Sequence, residues 1–194
     1  MRRVILVAMA AVGQAACGSG AGGHSATKVS EVTTTTERKS SPTAAEVAFD
    51  GDLVAVDSAD KTAAASLTTL HASQATGTAY SQTQVVSSIA PVSAALTTAV
   101  NALTTLIPGL PANMNSQAQA LSSTMSNALN VYQLATSTVQ EEASLPSMSA
   151  SVESALAAST IVDLQADVSE QGALVIDAER PYVAAMQGDY STSS

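Results

Sequence analysis

A chain of 194 residues with a formal charge of −9 lacks the basic footprint by which nucleic-acid-binding proteins gather phosphate. Its single cysteine, Cys17, excludes an internal disulfide and any cysteine-based zinc site. Without tryptophan and with one phenylalanine, the core must be filled by Ala, Val, Leu, Ile and Met, which bury little area each at roughly 25 cal/mol per Å², so a thin, elongated domain of modest stability is expected.

The chain opens with a positive start, Met1-Arg2-Arg3, followed by a short apolar run from Val4 to Val12. Gly13-Gln14-Ala15-Ala16-Cys17 and then Gly18-Ser19-Gly20 complete the segment. A cationic end, about nine apolar residues and a small-residue cleavage region predict a secretory signal peptide over 1–16, too short for a bilayer-spanning helix. The cleavage region resembles a bacterial lipobox, in which a small residue precedes a cysteine that becomes the lipidated N-terminus. Ala15, Ala16 and Cys17 match that pattern, whereas Gln14 stands where an aliphatic residue is usual. The resemblance covers only this leader. It implies a lipid on Cys17 and anchorage to the outer face of the cytoplasmic membrane, with the cell wall or the medium as other destinations. Cleavage after Ala8-Met9-Ala10 is the alternative and would leave a free thiol. Loss of Arg2 and Arg3 with the leader takes the formal charge from −9 to −11. That acidity disfavours electrostatic docking on anionic lipid but leaves anchorage by acyl chains open.

From Cys17 to Thr43 the chain is rich in Gly, Ser and Thr, with the run Thr33-Thr34-Thr35-Thr36 and then Glu37-Arg38-Lys39-Ser40-Ser41-Pro42. So few apolar residues cannot offset the entropy of ordering, and a disordered tether over 17–43 is expected. The composition resembles that of actinobacterial cell-envelope lipoproteins, in which such a stretch carries a domain away from the membrane. The Thr run is a candidate for O-linked sugar, and His24 falls in the same solvated segment.

The remainder, 44–190, predicts a helical domain. Ser41-Pro42 offers a cap followed by Pro at a first helical position, and Thr43-x-x-Glu46 fits a capping box. A first apolar stripe runs Phe49, Leu53, Val56, Ala63, Leu67 and Leu70; Asp60 interrupts it, so Ala64 is expected to share that turn, and Gly77 to end the helix. A second runs Val85, Ile89, Val92, Leu96, Ala99, Leu103 and Leu106, with Pro91 predicting a kink or a fresh start. Pro108-Gly109-Leu110-Pro111 is a break. A third runs Met114, Ala118, Leu121, Met125, Ala128, Tyr132, Ala135 and Val139. Pro146 can open the last helix, whose stripe is Val152, Leu156, Ile161, Leu164, Val168, Val175, Ala178 and Tyr182, with Gly172 and Pro181 expected to bend or shorten it. Four long helices with short connections and no strand-like alternation predict an all-α fold, an up-down antiparallel four-helix bundle with shallow crossing angles.

Between Thr62 and Gln140 there is no Asp, Glu, Lys or Arg, and His71 alone could add charge. Outward positions there are Ser, Thr, Asn and Gln, whose weak helix propensity leaves packing to hold the helices. This neutral surface suits either general solubility or contact with a sugar polymer, a partner protein or a lipid layer. Val85 to Leu110 is long enough to span a membrane, yet Ser87, Ser93, Thr97, Thr98, Asn101 and Thr104 make it a poor lipid-facing helix.

The acidic residues gather in two groups, Asp50, Asp52, Asp57 and Asp60, and Asp163, Asp167 and Glu170. Neither has the loop spacing that a hard cation requires, and both read as solvated faces. His71 has no carboxylate three or four residues away and is expected partly buried or at the core boundary. The di-iron Glu-x-x-His pattern is missing, as are a nucleophile elbow and a phosphate-binding loop. No Ser or Thr has an activating context. The expected function is therefore non-catalytic, without metal or cofactor. It is that of an envelope lipoprotein whose uncharged helices meet an envelope protein or polysaccharide, with no nucleic-acid partner. Two alternatives are a carrier or sensor of an apolar ligand, with Met114 and Met125 flanking a cavity, and a hydrophobic-surface-binding protein. The second rests on a compositional likeness to secreted fungal wall proteins that bind hydrophobic surfaces.

Overall fold

A computed structural model describes residues 42–75, 81–143 and 150–190. The predicted signal peptide, Cys17, the Thr run and Gly77 lie outside the described residues, as does Pro146. Among the described residues there are four α-helices and no strand: α1 (Ala44–Ala75), α2 (Gln82–Leu106), α3 (Ala112–Ala143) and α4 (Ala150–Tyr190). At about 1.5 Å per residue they are roughly 40–60 Å long.

The starts of α1 and α2 are set by the same local chemistry. The Thr43 Oγ1 accepts from the Glu46 backbone N–H at 3.2 Å, and the Thr43 N–H donates to Glu46 Oε2 at 2.6 Å. Ser81 and Gln84 repeat this at α2: the Gln84 N–H donates to Ser81 Oγ at 3.3 Å, and the Ser81 N–H to Gln84 Oε1 at 2.7 Å. Each box satisfies two helix-end donors that have no intrahelical partner. Pro42 lies outside α1, so Thr43 and not Pro42 marks its entry. The break after α2 is one turn of 3-10 helix, Ile107–Gly109, and Asn115 fastens it by donating from Nδ2 to the Ile107 carbonyl at 2.9 Å.

Pro91 was expected to kink α2 or start it afresh and Pro181 to bend or shorten α4; α2 and α4 run through them, so neither helix begins or ends at its proline. Both prolines are exposed. A proline on the outer side leaves the carbonyl four residues back facing water, which can bond it, so the lost backbone bond does not strand a buried group. Gly172 does not end α4 either.

The helices form a ring: α1 packs on α2 and α4, and α3 packs on α2 and α4. The α1–α4 pairing is antiparallel. Phe49 meets Tyr182, Asp60 meets Gly172 and Thr68 meets Gln165, so one number rises as the other falls. The core comes from all four helices, with Leu67, Leu96, Leu121, Met125 and Leu164 among its members. Phe49 and Tyr182 meet edge to face, with ring centroids 5.6 Å apart, a geometry worth about 0.5–1.5 kcal/mol beyond area burial. Met114 and Met125 are fully enclosed in this packing.

Candidate functional site

Along α1 the core stripe does not leave its face at Asp60. Val56, Asp60, Ala63 and Leu67 follow helical spacing, and Ala64 is exposed rather than sharing that turn. Asp60 is therefore carried toward the core by the periodicity of its neighbours. Three features make room for it. Its carboxylate lies over Gly172 of α4, where a Cβ would fall 2.5 Å from Asp60 Oδ2. The Tyr132 hydroxyl, from α3 across the bundle, donates to Asp60 Oδ1 at 3.4 Å, a long bond. A cleft opens beside it, lined by Asp57, Asp60, Tyr132, Gln171 and Glu179 together with apolar residues of α1, α2 and α4.

The cleft has room for about 20 Å³ of solvent, one water molecule's worth, against the several hundred Å³ of a small-molecule site. Its polarity is one-sided. Burial pushes the Asp60 carboxyl above the usual 3.8; the Tyr132 hydrogen bond works against this, and the nearby Asp57 adds to it. Glu179 is also raised, chiefly by burial and further by Asp50 and Asp57 across the seam. Tyr132 is raised by its own burial, by the charge of Asp60 and by their hydrogen bond, and so remains a donor at any physiological pH. Lys61 reaches Asp57 at 2.6 Å with its side chain 74% exposed, and its charge lowers Asp60 less than the other influences move it. The arrangement can hold and release protons.

The acidic groups were expected to be solvated faces. Asp163, Glu170 and Asp50 are exposed, but Asp60 and Asp167 are half-buried, as is Glu179 outside those groups, and burial raises all three. Their helices turn these positions inward because they fall on or beside the apolar stripe. His71, expected at the core boundary, is exposed. The packed layers of α1 end with Leu67 and the half-buried Leu70, so the imidazole lies beyond them. No group of three or more His, Cys, Asp or Glu among the described residues is placed to hold a metal ion.

The opposite side of the bundle has another chemistry. It is uncharged, and many of its hydroxyls, like those of Thr62, Thr68 and Thr69 in α1, are tied back to their own helices. In α2, Ser87, Thr97, Thr98, Thr104 and Thr105 donate to the carbonyl four residues earlier, at 2.7–3.1 Å. In α3, Thr124 and Thr138 do the same. Such side chains spend their donor internally and present methyl groups and acceptor lone pairs outward. Leu134 of α3 is 59% exposed on this uncharged surface. Gln82–Gly109 is long and apolar enough to cross a membrane by length and composition alone. Its larger apolar residues Val85, Ile89, Val92, Leu96 and Leu103 are buried against the other helices.

These features define the protein as an all-α helical bundle with one polarised seam and one uncharged face. Compared with known protein families, curated proteins and solved structures, the chain matches none.

Proposed function

We propose that this is a non-catalytic, exported lipoprotein of the bacterial envelope, lipidated on Cys17, whose α2–α3 face docks an envelope protein. The observation that carries the reading is the absence of Asp, Glu, Lys and Arg from Thr62 to Gln140. A protein surface with no other task normally carries interspersed charge. Here about eighty consecutive residues do without it, while the same chain concentrates carboxylates on α1 and α4.

A protein partner is favoured over a polysaccharide by the chemistry of the face. Sugar rings are gripped by aromatic platforms and by outward hydrogen-bond donors. Phe49, Tyr132 and Tyr182 are buried, and many of the hydroxyls of α2 and α3 donate inward. Small side chains and back-bonded hydroxyls instead let another backbone approach closely. The carrier reading has less support, since Met114 and Met125 are packed and the cleft beside Asp60 is far below lipid size.

Two measurements test the proposal. Intact mass of the protein from its host should carry a diacylglycerol-sized increment that disappears in Cys17→Ala; an unmodified wild-type mass removes the anchor. Photo-crosslinkers placed at Thr98 and Ser123 should capture one defined envelope protein, and crosslinkers at Asp163 should not. Equal or absent capture from both sides removes the docking face.

A further inference from the structure

The α1–α4 seam brings together what the docking face lacks. Asp60 and Glu179 stand on opposite walls of one cleft, on helices that approach closely enough at Gly172 for a methyl group to collide with the Asp60 carboxylate. We propose that this seam is a proton-operated latch, in which protonated Asp60 and Glu179 let α1 and α4 close over the cleft and their ionisation loosens α4 from α1.

The groups that bear on the pair are few. From α1 come Asp57 and Asp50, both adding negative charge, and Lys61, committed to Asp57 at the surface. From α2 come Val92 and Leu96, which carry no charge. From α3 comes Tyr132, which donates to Asp60 and stays protonated. From α4 come the uncharged Gln171 and, acting on Tyr132 rather than on the cleft, Asp167. Arg180, next to Glu179, pairs with Asp177 at 3.3 Å with its side chain 74% exposed. Lys61 lowers Asp60 less than any other influence on it, and among the described residues no cation lines the cleft beside its three carboxylates, Asp57, Asp60 and Glu179. When Asp60 and Glu179 ionise, each meets the charge of Asp57 while half-buried beside a cleft that holds about one water, and separation of the helices relieves both. The sign follows from proton counts. Both groups hold their proton more tightly folded than unfolded, so in the window above their ordinary values of 3.8 and 4.5 the closed state binds more protons. Closure is strengthened as pH falls through that window and weakened as it rises.

The test is hydrogen exchange of the full mature chain at about pH 7.5 and about pH 5, corrected for the intrinsic pH dependence of exchange. In wild type, the amides of α1 and α4 around Asp60 and Gly172 should become severalfold better protected at the lower pH, while those of α2 and α3 change little. In the Asp60→Asn, Glu179→Gln double variant the seam should be protected at both pH values. Wild-type protection that is flat or falls on acidification overturns the latch, as does a double variant that keeps the full pH response. Should the double variant not fold, an NMR titration of wild type decides. The Gly172 amide should shift along the same curve as the Asp60 and Glu179 carboxyl carbons, and a Gly172 signal indifferent to that titration overturns the proposal equally.

Discussion

The two sides of this bundle solve the same packing problem with different chemistry. On the α2–α3 side the buried positions are apolar or alanine apart from Tyr132, and the outward positions as far as Gln140 are neutral. On the α1–α4 side a carboxylate occupies a core position, another stands in the opposite wall, and the exposed surface is acidic. The difference shows where a helical core tolerates charge. Asp60 persists because a glycine removes the opposing side chain, a tyrosine reaches across the core, and one water's worth of space adjoins it. Ala118 of α3 is fully buried and does not line that cleft.

The sharpest way to break the comparison is to move the charge. Ala118→Asp should destabilise the domain by more than about 3 kcal/mol in urea denaturation, because the carboxylate would be enclosed without donor or solvent. Asp60→Asn near neutral pH should be neutral or stabilising, since it removes a charge the fold holds unwillingly while keeping the shape. Equal losses at both positions would mean that the α1–α4 side has no special provision for a carboxylate.

How much of this was legible beforehand follows from the period of the sequence. Helix positions, the 3-10 break and nearly all core members are written in apolar steps of three and four, and Val56, Leu96, Leu121 and Val168 are buried as those steps require. The same rule places Asp60, but reading it as an interruption relies on residue type, while the backbone obeys the period. Its partner Tyr132 lies 72 residues away and Gly172 farther still, and no local pattern announces a contact across the bundle. The Ser81-x-x-Gln84 box precedes the apolar stripe of α2, which begins only at Val85, so the period alone does not point to it. The two prolines mislead for a similar reason: the cost of proline depends on which side of the helix it occupies, and a residue count around Pro91 shows it opposite the stripe.

The helix entries carry the comparison to smaller energies. At α1 a buried Glu46 accepts from both the N–H and the hydroxyl of Thr43, at 2.6 and 2.7 Å. At α2 the corresponding Gln84 is neutral and exposed. Glu46→Ala should cost about 1–2 kcal/mol and Gln84→Ala about 0.5 kcal/mol, because only the first removes a buried side chain along with two hydrogen bonds to a charged acceptor. Thermal or urea midpoints of the two variants would show the order, and a reversal would place the dominant cap on the neutral side.

A third contrast lies between two tyrosines of equal burial. Tyr132 donates to Asp60, whereas the hydroxyl of Tyr182 is enclosed without a partner and burial pushes its pKa up to about 12. Tyr132→Phe should cost about 0.5–1 kcal/mol and raise the Asp60 pKa further, since the bond that lowers it is gone. Tyr182→Phe should be neutral or slightly stabilising, because a desolvated hydroxyl with nothing to bond is removed. A loss at Tyr182 matching that at Tyr132 would show that its hydroxyl contributes to the α4 packing.

The smallest expected effect is on the surface where function is proposed. Thr98 and Ser123 are exposed, and the hydroxyl of Thr98 bonds only its own helix, to the Ala94 carbonyl at 3.1 Å. Lysine has the better helix propensity and removes back-bonding of that kind, so Thr98→Lys and Ser123→Lys should leave stability within about 0.5 kcal/mol of wild type. Their effect should fall instead on docking. A charge placed on a face that has none must be desolvated against a neutral partner, which costs far more in a contact than in water. Loss of crosslinked partner from variants that melt with wild type would separate surface from scaffold; retained capture would show that the absence of charge is not what the partner reads.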